Sequence, residues 1–181
     1  MKYFIAPHND DETLFGSFSI QQHSPIVIVV YDGYLQGARG ESVTFSNRRL
    51  ETREAVRILG ASVRFLGFDD RTDTDPCRLV SALSEFKDGS MVWYPEVETG
   101  GHHQHNLVGK VCREIFRPAV SMRYLTYTSE GKSCSGKEVA CSTEEIIRKW
   151  KALGCYASQI DIPNCRPHFL RDQREYINDV R

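Results

Sequence analysis

The 181-residue chain has no excess of charge of either sign, no long hydrophobic run and no closely spaced cysteine pair, and each absence closes a class of function. Lys and Arg number 23 against 24 Asp and Glu, a net charge of -1. No basic footprint for phosphate backbones follows from that balance, so nucleic acid is not an expected partner. The longest apolar run, Pro25 to Tyr31, falls far short of a bilayer span, which excludes a membrane-crossing helix. No basic region followed by an apolar segment and a small-residue cleavage site opens the chain, so the expected location is cytoplasmic. Six cysteines (Cys77, Cys112, Cys134, Cys141, Cys155 and Cys165) include no Cys-x-x-Cys pair. That spread argues against a structural zinc cage of thiolates and predicts reduced thiols, with Cys134 and Cys141 as the one pair open to oxidation. Internal repeats and low-complexity tracts are lacking as well.

What is present fits one globular domain over residues 1–181, 40% hydrophobic and 26% charged, large enough to bury a core. Met1 to Ala6, Pro25 to Tyr31, Val63 to Phe68, Met91 to Tyr94 and Tyr124 to Tyr127 read as strands, several of them continuous apolar runs suited to burial on both faces. Between and after them, Glu12 to Ile20, Ser46 to Leu59, Pro76 to Phe86, Gln104 to Phe116 and Thr143 to Ala152 have helical period. Strand and helix alternate, which predicts an α/β sandwich with a mostly parallel central sheet and helices on both faces. Ser46 and Thr143 are the expected N-caps of their helices and Gly60 the expected stop of the second. Asp32 to Phe45, with three glycines, is longer than a strand-to-helix link requires and reads as a functional loop.

Chemistry concentrates in two places. Directly after the first strand, Ala6-Pro7-His8-Asn9-Asp10-Asp11-Glu12 places an imidazole and three carboxylates at a strand's C-terminal end, where open parallel sheets bind ligands. The competing reading is a helix start decorated with acids that answer its dipole and free N–H groups. After the fourth strand, Gly100-Gly101-His102-His103-Gln104-His105 collects three of the six histidines, and this loop emerges on the same edge. His102 and His105, three apart, face one way on a helix that begins beside them. Neutral imidazole and carboxylate are typical ligands of a catalytic zinc, which keeps three protein ligands and one position for water. A nucleotide-binding loop is opposed by acids standing where pyrophosphate needs Gly-x-Gly-x-x-Gly.

These residues also carry a family resemblance. Pro7 to Glu12 resembles the Ala-His-Pro-Asp-Asp-Glu motif of the PIG-L/LmbE-like de-N-acetylases, and Gly101 to Gly109 resembles that family's Gly-His-x-Asp-His motif followed by Val-Gly. Arg48-x-x-Glu51 with Ala55, Leu59 and Gly60, Leu66-Gly67-Phe68-Asp69-Asp70, and Tyr156-Ala157-Ser158-Gln159 are similar, in order, to its remaining signatures. The resemblance implies a Rossmann-like three-layer fold and hydrolysis of an N-acetyl group on an amino sugar or its conjugate, a small-molecule partner. It implies that His8, Asp11 and His105 bind the metal, zinc or else iron or another divalent ion, that Asp10 is the general base for the metal-bound water, and that His102 assists the transition state. Arg48 and Asp70 are implied to meet the substrate, against the alternatives of a solvated helix charge and a turn residue. A zinc amidase acting on a non-acetyl amide and an inactive binding module of the same fold are the other readings. Three positions depart from the pattern: Asn9 and His103 stand where Pro is common, and Gln104 replaces an Asp able to orient a neighbouring imidazole. Oligomeric state has no signature in the sequence.

Overall fold

Buried β-branched runs make the centre of the sheet. In the computed structural model, which describes residues 1–31, 45–69, 71–126, 136–160, 162, 165–170 and 174–179, β1 (Lys2–His8) and β2 (Ile26–Tyr31) lie side by side, pairing Tyr3 with Ile26 and His8 with Tyr31. β3 (Ser62–Phe68) flanks β2, while β4 (Met91–Pro95) and then β5 (Ser121–Tyr124) continue on the other side of β1. The two short strands β6 (Lys137–Glu138) and β7 (Tyr176–Asp179) complete a seven-stranded sheet of order β3-β2-β1-β4-β5-β7-β6. Pairings from β3 through β5 are parallel; β7 is antiparallel to both its neighbours.

Alternate residues of each strand feed opposite cores, as the period of two requires. Phe4, Ala6, Val27, Val29 and Trp93 pack with α1 (Asp11–His23), α2 (Phe45–Ile58) and α5 (Thr143–Leu153). Ile5, Ile28, Val30, Val92 and Tyr94 pack instead with α3 (Pro76–Leu83) and α4 (His103–Ile115). Two short helices, α6 (Ala157–Ile160) and α7 (Arg166–Leu170), follow α5. The expected three-layer sandwich is therefore the observed fold.

Its topology places the site. The chain runs outward from β1 through β2 to β3, then returns to begin the other half at β4, so β1 and β4 border the point where strand order reverses. At such a switch point the loops leaving the two strands part to opposite faces and open a crevice at their C-terminal ends. Both clusters noted above leave that edge.

Local details differ from the expected boundaries. β5 begins and ends three residues earlier than Tyr124 to Tyr127, because Thr126 turns off the ladder to donate its hydroxyl to Glu98 (2.6 Å). Ser142, not Thr143, caps α5: its hydroxyl accepts from the Glu145 N–H (3.2 Å) while the Glu145 carboxylate accepts from the Ser142 N–H (2.7 Å). Ser46 lies inside α2, which starts at Phe45. Gly60 does stop that helix, at φ +80°, with Gly60 N–H on Arg57 C=O and Ala61 N–H on Val56 C=O. Asp70, Cys134 and the Asp32 to Phe45 loop up to residue 44 lie outside the described residues; Cys77, Cys112, Cys141, Cys155 and Cys165 are free thiols. Among the described residues no helix is long and apolar enough to cross a membrane.

Candidate active site

The turn from β1 into α1 is a buried acidic knot. Asn9, Asp10, Asp11 and Glu12 are all buried, and Asp10 sits at φ 108°, ψ -30°, a strained backbone for a residue with a side chain. Its peptide is held on both sides: the Asp10 C=O accepts from the N–H groups of Thr13 and Leu14 (both 2.9 Å), and its N–H donates to Glu12 Oε2 (3.1 Å). Glu12 in turn accepts from the hydroxyls of Thr13 (2.9 Å) and Tyr156. The acids are not helix decoration, since Asp10 makes no side-chain cap bond and Asp11 turns toward two imidazoles. Asn9 bonds α2 twice, through Oδ1 to the Thr52 hydroxyl (2.9 Å) and through its C=O to Arg48 Nη2 (2.7 Å). A Pro at position 9 lacks the first of these, so the departure from the family pattern adds a tie between α1's entry and α2.

The second cluster opens α4. His102 occupies the N-cap and His103 the first helical position, both exposed, while His105 one turn in is buried. The first helical position tolerates Pro because its N–H is free in any case, which accounts for either Pro or His at 103. Gly109 is demanded by packing: a Cβ there meets the Pro95 carbonyl oxygen at 2.6 Å, so α4 approaches the end of β4 closely only without a side chain. Asn106 fastens the intervening loop by two bonds to the Glu98 backbone (2.8 and 2.9 Å).

The clusters converge. Asp11 Oδ2 lies 3.2 Å from His8 Nδ1 and 3.1 Å from His105 Nε2, and those two nitrogens are 3.2 Å apart. Three lone-pair atoms facing one another repel unless a cation or proton lies between them. Ligand atoms about 2.0–2.1 Å from a tetrahedral zinc sit about 3.3 Å apart, so the triangle has the size a metal requires. The second oxygen, Asp11 Oδ1, is buried without a hydrogen-bond partner among the described residues, as befits a carboxylate shaped for an ion. His102 stands at the rim, and the donor nitrogens of His8, His102 and His105 all fall within 4.8 Å of one another. The residues present therefore fit a divalent metal.

Electrostatics separates the groups. Burial works against charge on Asp11, yet the imidazoles of His105 and His8 hold its carboxyl well below the usual range. Burial raises Asp10 well above that range, Arg48 opposing and the carboxylates of Asp11 and Glu12 adding to the rise. Glu12 is pushed up to about 7 by burial. Partial desolvation beside the site, then His8 and His105, push His102 down to about 4, leaving it a neutral imidazole at neutral pH. His8 is shifted upward, its burial outweighed by Asp11 and Gln104.

His8, Asp10, Asp11, His102 and His105, picked out from sequence, thus share one edge. Arg48 is only 2% exposed, so it is no solvated helix charge; its guanidinium lies 3.7 Å from Asp10 Oδ2. Sequence reasoning missed the bond of Tyr156, noted only within a family signature, to Glu12 144 positions away, and the buried pair Lys149 and Glu175 (2.6 Å), bonded into α1 at the Leu14 C=O and the Phe18 N–H. One signal was available: residues 13–20 contain no charge, so α1 is buried and Glu12 at its start needs internal partners.

The arrangement defines a class, a Rossmann-like α/β sandwich with imidazoles and carboxylates gathered at its switch point. More particularly, the chain belongs to the GlcNAc-PI de-N-acetylase (PIG-L) family, whose sequence profile matches residues 3–116. No curated protein matches the chain by sequence. Among solved structures it is similar to N,N'-diacetylchitobiose deacetylase from Pyrococcus horikoshii (TM-score 0.76, 19% identity, 98% of this chain and 82% of that one). It is also similar to a deacetylase of the teicoplanin biosynthetic pathway (TM-score 0.72, 19% identity, 92% and 86%). A third is the 4-carboxy-2-hydroxymuconate hydratase from Pseudomonas putida (TM-score 0.69, 17% identity, 100% and 97%). At such identities the likeness establishes the fold, and a hydratase among these neighbours shows that fold alone does not decide the reaction.

Proposed function

We propose that this chain is a zinc-dependent N-deacetylase that removes the acetyl group from an N-acetylated amino sugar or its conjugate. The observation that carries the reading is the triangle of His8 Nδ1, Asp11 Oδ2 and His105 Nε2, closed to 3.1–3.2 Å beside Asp10 in a member of a de-N-acetylase family. His8, Asp11 and His105 would hold the ion, which when bound supplies a Lewis acid for the amide carbonyl and a water of lowered pKa.

The remaining roles belong to the chain. Asp10, adjacent to a ligand but directed elsewhere, takes the proton of the attacking water as general base. Arg48, buried against Asp10 and Asn9, favours the ionised form of that carboxylate against the effect of burial and aims it. In this reading it positions the base instead of gripping a remote part of the substrate. His102, neutral and at the open rim, donates one N–H to the oxygen that gains charge as the carbonyl becomes tetrahedral. Asp70 remains a proposed contact to a sugar hydroxyl. One neighbour is an N,N'-diacetylchitobiose deacetylase and another a deacetylase of the teicoplanin biosynthetic pathway, and the first favours a sugar-borne amide here.

The test is a screen of N-acetylglucosamine conjugates with the metal-loaded protein, scored for acetate. Release of acetate that stops on chelation and returns with zinc is expected. Release of an amine without acetate would move the reading to another acyl group, and no hydrolysis of any amide by fully loaded protein would remove it.

A further inference from the structure

Resting on the reading that His8, Asp11 and His105 hold a divalent metal, we propose that Gln104 is a positioning residue that selects the tautomer of His8 and sets how tightly the metal is held. His8 Nε2 lies 2.8 Å from Gln104 Oε1. An amide oxygen only accepts, so the hydrogen of the neutral ring resides on Nε2 and Nδ1 keeps its lone pair. Nδ1 is the very atom that faces Asp11 Oδ2 and His105 Nε2. The choice of ligating nitrogen on β1 is thus made by a residue of α4.

Gln104 and His105 are consecutive in the first turn of α4, and successive side chains leave a helix about 100° apart. One supplies a ligand and the other orients the ligand opposite, so the start of α4 contributes twice to the same centre. A metal-bound imidazole usually donates its other N–H to an outer acceptor, and a stronger acceptor makes the ring a better donor to the ion. Gln104 is neutral, whereas a carboxylate at this place draws harder on the Nε2 proton. The amide therefore leaves His8 correctly oriented but a weaker ligand than an acid would make it.

Zinc affinity of the full chain, stripped by chelator and titrated against a chromophoric competitor, tests this without reference to turnover. Gln104→Met, which keeps the length and removes the acceptor, should weaken zinc binding about 10- to 100-fold. Gln104→Glu, which adds charge at the same reach, should tighten it. Nitrogen-15 correlation spectra of the histidine rings should show zinc-loaded His8 protonated at Nε2, with that proton exchanging faster in Gln104→Met. Equal affinities across the three proteins, or a His8 protonated at Nδ1, overturn the proposal alone. A wild-type chain that takes up no zinc, cobalt or iron overturns the metal reading and this proposal with it.

Discussion

The two helix starts that meet at the site are built in opposite ways. α1 opens on a strained turn whose four polar residues are buried and tied to the rest of the fold, to α2 through Asn9 and Arg48 and to the turn after α5 through Tyr156. α4 opens at the surface, with His102 and His103 exposed and no side-chain cap. The first is a fixed acidic wall; the second brings imidazoles to the rim.

That contrast breaks most completely at the shared atoms. His105→Ala removes the α4 ligand and leaves two, too few to hold zinc firmly, so purified protein should lose both metal and activity; stoichiometric zinc retained in the variant contradicts the assignment. Within the fixed wall, Asp10→Asn keeps shape and hydrogen bonding but not the basic oxygen. Its kcat should fall about 10²- to 10⁴-fold with metal content and KM little changed. If metal analysis instead finds the Asp10 variant empty and an Asp11→Asn variant full, the two roles are exchanged.

Smaller effects sharpen the comparison. Tyr156→Phe leaves the buried Glu12 short of a donor, a loss of about 1–3 kcal/mol, which a thermal melt should record at about 2–4 °C per kcal/mol. His103→Ala, on the open side, should change stability by less than about 0.5 kcal/mol and leave zinc binding as in wild type. A large effect at His103 together with none at Tyr156 would reverse the assignment of rigid and open sides.

How much of this was legible in the sequence follows the same division. The parallel half announces itself, because doubly buried strands such as Ile26–Tyr31 must be continuously apolar and the helices between them must repeat at 3.6. The candidate site is legible too, since His8, Asp11, His102 and His105 are dense in two short segments. The antiparallel edge is silent: β6 is two charged residues, Lys137 and Glu138, with no periodicity to detect. Partnerships across the fold are equally invisible. Nothing local pairs Glu12 with Tyr156 or Lys149 with Glu175, and Arg48 stands between a substrate contact and a solvated helix charge until its helix is seen packed over the Asn9 turn. Gln104 looks like the loss of an orienting acid, and only geometry shows its amide oxygen 2.8 Å from His8 Nε2.

The central claim is the identity of the three ligands, and anomalous scattering from a metal-loaded crystal tests it most directly. The account predicts one ion about 2.0–2.2 Å from His8 Nδ1, Asp11 Oδ2 and His105 Nε2, with His102 outside its coordination sphere. An ion bound instead by His8, His102 and His105, with Asp11 turned away, would contradict it.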